Sequence, residues 1–218
     1  MPQEPSQASN GLQRSCENVL GQGRGRSALG GIVAGMAAVR RDDLIVELAA
    51  GRWRLERARD VAARIASHPA EVRRLMAAMF GDDMELRKRA SDVAHRITDA
   101  DVTILWPYAD ELAGLLAELA PGESRTRWHM GLVVARVAHT REQRLRAARL
   151  MQLLFEDESN VARCSAVQGI AVLAMAEPQL RAMAMEHVER ALRTGTPAMK
   201  ARARHAKARL RRFAAEVD

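Results

Sequence analysis

From Leu44 to Phe213 apolar residues return three and four positions apart, and the stretches that carry them are separated by glycine, proline or short polar breaks. Leu44, Ile45, Leu48 and Ala49 open the series, Gly51 interrupts it, and Leu55, Ala58, Ala62 and Ile65 form the stripe of a second helix. After His68-Pro69, the residues Val72, Leu75, Met76, Met79 and Phe80 predict a third helix ending at Gly81. Asp82 and Glu85 have capping-box spacing ahead of Leu86, Ala90, Val93 and Ile97. Pro107 suits the first turn of the next helix, whose stripe is Leu112, Leu115, Leu116 and Leu119. Pro121-Gly122 ends it. A further pair starts at Thr140, with Gln143 in capping-box spacing, runs through Ala147, Leu150, Met151, Leu154 and Phe155, and breaks at Asp157 to Asn160. The last pair begins with a helix from Gln179 to Arg193, and Thr196-Pro197 sets the start of the final helix.

The helices come in couples. The leading helix of each couple has one narrow stripe of large residues. Trailing segments such as Trp128 to Val137 and Ala166 to Ala174 are apolar over a wider arc and carry Gly131 and Gly169 in mid-helix. A mid-helix glycine costs about 1 kcal/mol relative to alanine, so these two predict close approach of a neighbouring helix. Trailing helices are therefore expected to form an inner layer. Arg57, Arg89, Arg127, Arg163 and Arg202 recur at intervals of 32, 38, 36 and 39 residues, each on a trailing segment. That period predicts an all-α solenoid of about five stacked hairpins, whose trailing helices line a concave surface.

Composition agrees with this reading. Apolar residues make up 48% and charged residues 28% of 218, aromatics are only 3%, and Ala, Leu, Arg and Glu dominate. The sequence before residue 41 is rich in Gly, Ser and Gln and reads as a disordered tail at 1–40, with the repeat domain over 41–216. The longest apolar run, Ala28 to Val39, has twelve residues, too few for a membrane span of roughly 20. Arg24 and Arg26 ahead of that run imitate a secretion signal, but the polar stretch from Met1 to Gln22 argues against one. Cys16 and Cys164 are too distant for a disulfide framework, which fits a reducing cytoplasm. The strong preference for arginine over lysine points to a GC-rich bacterial source.

Leu86-Arg87-Lys88-Arg89-Ala90-Ser91-Asp92-Val93-Ala94 and Val161-Ala162-Arg163-Cys164-Ser165-Ala166-Val167 resemble the second-helix pattern of HEAT-like repeats, in the armadillo-type α-helical superfamily. The resemblance covers roughly Arg41 to Phe213 and implies a right-handed α-α superhelix that binds other macromolecules. One enzymatic branch of that superfamily, the alkylpurine DNA glycosylases, uses a concave-face aspartate with tryptophans and a basic groove. The nearest match is Trp106-Pro107-Tyr108-Ala109-Asp110, but Pro107 places this tryptophan before a leading helix, in the outer layer. Trp53 and Trp128 have Arg57 and Leu132, not aspartate, four residues on.

Charge is concentrated at one end. Arg190 to Ala215 holds nine Lys/Arg and no acid, so the remainder of a chain with net charge +7 is slightly acidic. On the last helix Met199, Ala203, Ala206, Leu210 and Phe213 form the docked stripe, and Lys200, Arg204, Lys207 and Arg211 are candidates for binding nucleic acid or for a solvated end cap. The arginine series has two readings. One is an inter-repeat ladder to acids such as Asp82, Asp83, Asp92, Glu123 or Asp157, and the other is ligand contact from the concave face. Arg127-Trp128-His129 is the place where basic, aromatic and titratable side chains coincide on an inner helix. The candidate concave-face residues are thus Arg57, Arg89, Arg127, Trp128, His129 and Arg163. No HExxH, CxxC or GxxxxGK[ST] motif occurs, so no metal, cofactor or nucleotide cradle is expected. The expectation is a cytoplasmic, non-enzymatic scaffold that binds a protein on its concave face, with DNA binding, and at its extreme an alkylpurine glycosylase relative, as the alternative.

Overall fold

The computed structural model describes residues 43–217. The tail expected at 1–40, its secretion-signal-like segment and Cys16 lie outside the described residues. The described chain is all-α, with ten α-helices packed against one another. They are α1 (residues 43–49), α2 (Leu55–Ala66), α3 (Pro69–Phe80), α4 (Met84–Ala100), α5 (Ala109–Glu118), α6 (Ser124–Val137), α7 (Arg141–Phe155), α8 (Asn160–Ala176), α9 (Arg181–Thr194) and α10 (Pro197–Val217). Short 3₁₀ segments, Val102–Tyr108 and Pro178–Leu180, lead into α5 and α9.

The couples read from the sequence are present. Helix α4 packs on α3, α6 on α5, α8 on α7 and α10 on α9. Each trailing helix also touches the next one, in the order α2, α4, α6, α8, α10. A helix with neighbours on three sides must be apolar over most of its circumference, which is why α8 buries Ala162, Ala166, Val167, Ile170, Ala171, Leu173 and Ala174. Its partner α7 needs only the narrower set Ala147, Ala148, Met151, Leu154 and Phe155. Small residues let α6 and α8 approach closely. A methyl group on Gly131 would come within 2.6 Å of Leu154 and Ser165, and one on Gly169 within 2.6 Å of Met151 and 3.3 Å of the Gly131 carbonyl oxygen.

Turn chemistry sets the helix ends. Gly51 adopts φ 59°, the left-handed conformation that turns the chain out of α1. Thr140 and Gln143 form the expected reciprocal capping box. At α4 the cap falls one residue later than the spacing suggested: the Asp83 carboxylate, not that of Asp82, accepts from the Glu85 and Leu86 N–H groups. Pro107 also differs from expectation. It lies inside a 3₁₀ segment and α5 begins at Ala109, because Asp101 starts the earlier turn by accepting from the Thr103 N–H.

The repeating arginines close the ends of the leading helices. Arg57 donates to the Glu47 and Ala50 carbonyls, Arg87 to Met79 and Gly81, Arg127 to Leu119, and Arg163 to Phe155. These carbonyls end or follow the leading helices and lack intrahelical donors, so each guanidinium acts as a C-terminal cap supplied from the next helix. Two of the arginines also bridge to the following couple, Arg87 to Glu123 at 2.6 Å and Arg127 to Asp157 at 2.6 Å. The ladder therefore exists, and in the second couple its member is Arg87 where the spacing had suggested Arg89. Arg202 is exposed and caps no leading helix among the described residues.

Candidate binding cleft

The residues that the ladder leaves over converge elsewhere. The turn before α2 projects Trp53 toward α4, and its indole N–H donates to the Asp92 carboxylate at 3.0 Å. Arg96, one turn along α4, holds the other Asp92 oxygen at 3.1 Å. His129 of α6 faces that same oxygen at 3.8 Å. Trp53, Asp92 and Trp128 thus come from three successive couples and lie along one cleft of about 610 Å³, lined further by Arg52, Arg54, Lys88, Arg89, Arg96 and Arg125. Six basic side chains there face two acidic ones, Glu85 and Asp92, so the cleft is cationic but carries both signs.

Both indoles carry a guanidinium. Arg89 and Arg57 lie 5.7 and 5.8 Å from the Trp53 ring centre, and Arg125 lies 5.6 Å from that of Trp128. Arg89 also donates to the Leu48 and Ala49 carbonyls and pairs with Glu85, so it is fixed in place. Arg52, Arg54 and Arg125 are exposed at the rim. Behind the cleft, His129 shares a hydrogen bond with Ser91 at 3.1 Å, and the His95 ring packs beside the adjacent Trp128 and His129 rings, 6.1 and 5.8 Å from their centres. Burial holds both imidazoles down at a pKa of about 4, with nearby Arg136 adding to the effect at His95, so both are neutral at pH 7.

The candidates read from the sequence divide accordingly. Trp128, His129 and Arg89 meet in the cleft. Arg127 and Arg163 serve as caps and Arg57 does both, capping α1 and covering Trp53. Trp106 lies outside the cleft, exposed and stacked on His139 with ring centres 4.9 Å apart. On α10, Lys207 pairs with Glu189, while Arg204 and Arg211 are exposed and Lys200 is half-buried. The sequence reading missed Trp53, Asp92 and Arg125 as cleft residues. A signal was present: Asp92 lies 39 residues after Trp53 and 36 before Trp128, about one repeat in each direction.

Among the described residues no cluster of three or more His, Cys, Asp or Glu is placed to hold a metal ion, and no helix is long and apolar enough to cross a membrane. Comparison with protein-family models, curated proteins and solved structures gave no match.

Proposed function

We propose that the chain is a non-enzymatic, HEAT-like helical-repeat scaffold, whose trailing helices α2, α4, α6, α8 and α10 line the concave face of a right-handed superhelix and hold a partner protein in the cytoplasm. The observation that carries this reading is the cleft in which three successive couples each contribute an aromatic or charged side chain to one surface. An extended partner crossing the trailing helices meets equivalent positions in turn, and a handful of aromatic and arginine anchors supplies most of the affinity in such interfaces. Mixed charge favours a protein segment, because Glu85 and Asp92 interrupt the positive wall and so oppose a uniform phosphate backbone, while the half-exposed Glu85 can also meet a partner's basic residue. The test is recovery of partners on wild-type protein and on an Arg54→Glu/Arg125→Glu variant from the same cells. A protein retained by the first and lost from the second supports the reading, and identical recovery on both rejects it.

A second reading has its own support. Two indoles flanking an aspartate in a basic cleft are the elements of the DNA-binding alternative and of its glycosylase extreme. Against catalysis stands the state of Asp92, whose two oxygens are taken by Trp53 and Arg96. A carboxylate satisfied in this way is held as a structural acceptor and not as a free base. Steep loss of affinity for duplex or single-stranded oligonucleotides with rising salt, flattened by the same double variant, would establish the second reading. Release of alkylated purines, lost on Asp92→Asn, would establish its enzymatic form.

A further inference from the structure

A second cleft, of about 380 Å³, lies farther along the trailing helices and takes its walls from α4, α6, α8 and α10. Its basic groups are Arg136 from α6 and Arg202, His205 and Arg209 from α10. The one carboxylate in the wall is that of Asp99, and Arg136 already holds it at 2.7 Å. Arg136 is otherwise bonded to Thr98 Oγ1 at 3.2 Å, which fixes its guanidinium in the floor. Arg202 and Arg209 have no ion-pair partner among the described residues, and Asp99, already held by Arg136, is the one counter-charge in a concavity where three arginines gather. Gln168, on α8, also lines the cleft, and its Oε1 is buried with no hydrogen-bond donor. A buried acceptor left unpaired costs roughly 1–3 kcal/mol, which a ligand carrying a donor would recover once the half-buried Gln168 side chain turns its oxygen into the cleft.

We infer that this cleft is a binding site for a phosphate monoester, with Arg136, Arg202 and Arg209 on the anionic oxygens and Gln168 Oε1 accepting a P–OH or neighbouring hydroxyl. The combination is selective. A phosphate monoester has its second pKa near ~6 and so offers both negative oxygens and a P–OH donor around neutrality. Sulfate and phosphodiesters offer anionic oxygens without that donor. The arginines alone would accept any oxyanion, so the orphaned amide oxygen is what separates a monoester from a nucleic-acid backbone. The groups lie about one repeat apart in the chain, Arg136 to Gln168 being 32 residues and Gln168 to Arg202 being 34, so the site depends on the same side-by-side packing of trailing helices. It does not depend on the binding role proposed for the tryptophan cleft.

Calorimetric titration of the full chain at pH 6.5 and low salt, with inorganic phosphate, phenyl phosphate, sulfate and dimethyl phosphate as probes, tests the assignment. Phosphate and phenyl phosphate should bind at least tenfold more tightly than sulfate and dimethyl phosphate. Arg202→Gln/Arg209→Gln, changed at exposed positions, should lose at least tenfold in phosphate affinity. Gln168→Leu should bring phosphate and sulfate to within about twofold of each other, an effect that mere loss of charge does not produce. Lys200→Gln/Arg204→Gln/Arg211→Gln, elsewhere on α10, and Trp128→Leu, in the other cleft, should leave phosphate affinity within twofold. A phosphoserine peptide binding more tightly than phenyl phosphate would place the monoester on a protein, and equal affinities would place it on a small molecule. The inference fails if no phosphate compound binds, if dimethyl phosphate or an oligonucleotide binds as well as the monoester, or if the control triple variant loses as much as the double one.

Discussion

Replacing Arg127 by methionine tests the ladder that joins one couple of helices to the next. The Asp157 side chain is 3% exposed and that of Arg127 17% exposed. Arg127 reaches Asp157 through Nε at 2.7 Å and through a terminal nitrogen at 2.6 Å, and its remaining terminal nitrogen donates to the Leu119 carbonyl at 2.6 Å. Methionine keeps much of the volume and removes all three bonds. Removing one partner of a buried pair costs about 3–5 kcal/mol, chiefly because the surviving charge has lost its compensation. Asp157 keeps the Ser159 N–H at 2.7 Å, which places the expected cost at the lower end, about 3 kcal/mol. For a domain of this size that corresponds to a fall in Tm of roughly 6–12 °C. Urea denaturation followed by far-ultraviolet circular dichroism reads it directly. Adding Asp157→Leu to Arg127→Met should recover at least half of the loss, since both charges then leave together. An Arg127→Met protein within about 0.5 kcal/mol of wild type, the range of an ordinary surface change, would refute the ladder as a stabilising device.

Glycine substitutions should split by position. Gly169→Ala is expected to destabilise by about 1–2 kcal/mol despite better helix propensity, because the Ala135 methyl and the Gly131 carbonyl cannot yield as the Met151 side chain can. Gly114→Ala in α5 meets nothing closer than Arg146 at 3.9 Å and should stabilise by about 0.5–1 kcal/mol; thermal melts of the two that move in the same direction would contradict the packing described. Asp83→Ala should cost about 1 kcal/mol and Asp82→Ala much less, and equal losses in denaturant titrations would return the α4 cap to the earlier position. Acid should weaken the fold through His95 and His129. Both are held at about 4 in the folded chain against an ordinary 6.5, so the unfolded chain binds more protons between those values. Stability is then full above pH 6.5 and falls as pH drops toward 4, by up to ~1.4 kcal/mol per pH unit for each ring. Unchanged stability between pH 7.5 and 5 would show that these rings are not buried neutral.

Helix identity was legible because burial leaves a periodic mark. Of the α10 stripe Met199, Ala203, Ala206, Leu210 and Phe213, the first four are buried and Phe213 is half-buried, and the wide apolar arcs of α6 and α8 match their neighbours on several sides. Gly131 and Gly169 announced a close approach that the packing contains. Single-residue details were less legible, because two side chains often satisfy one local rule: Asp82 and Asp83 both suit a cap, and Arg87 and Arg89 both suit a ladder. Only the path of the preceding turn decides between them. The cleft was hidden for another reason. An aspartate four residues beyond a tryptophan lies on the same helix, whereas Asp92 bonds Trp53 from the preceding couple and shares the cleft with Trp128 from the following one. Stacking converts a separation of 36 to 39 residues into adjacency, and a motif search within one helix cannot register that. On α10 the same blindness favoured Lys200, Arg204 and Arg211, while the side chains that line the second cleft are Arg202, His205 and Arg209.

Site-specific photocrosslinking in living cells tests most directly whether the trailing helices carry the partner. A photoreactive residue at Arg54, on the rim of the tryptophan cleft, is compared with one at Arg149, exposed on the leading helix α7. The account predicts discrete protein adducts from position 54 and none from position 149. Adducts only from position 149, or adducts to nucleic acid alone from position 54, would contradict it.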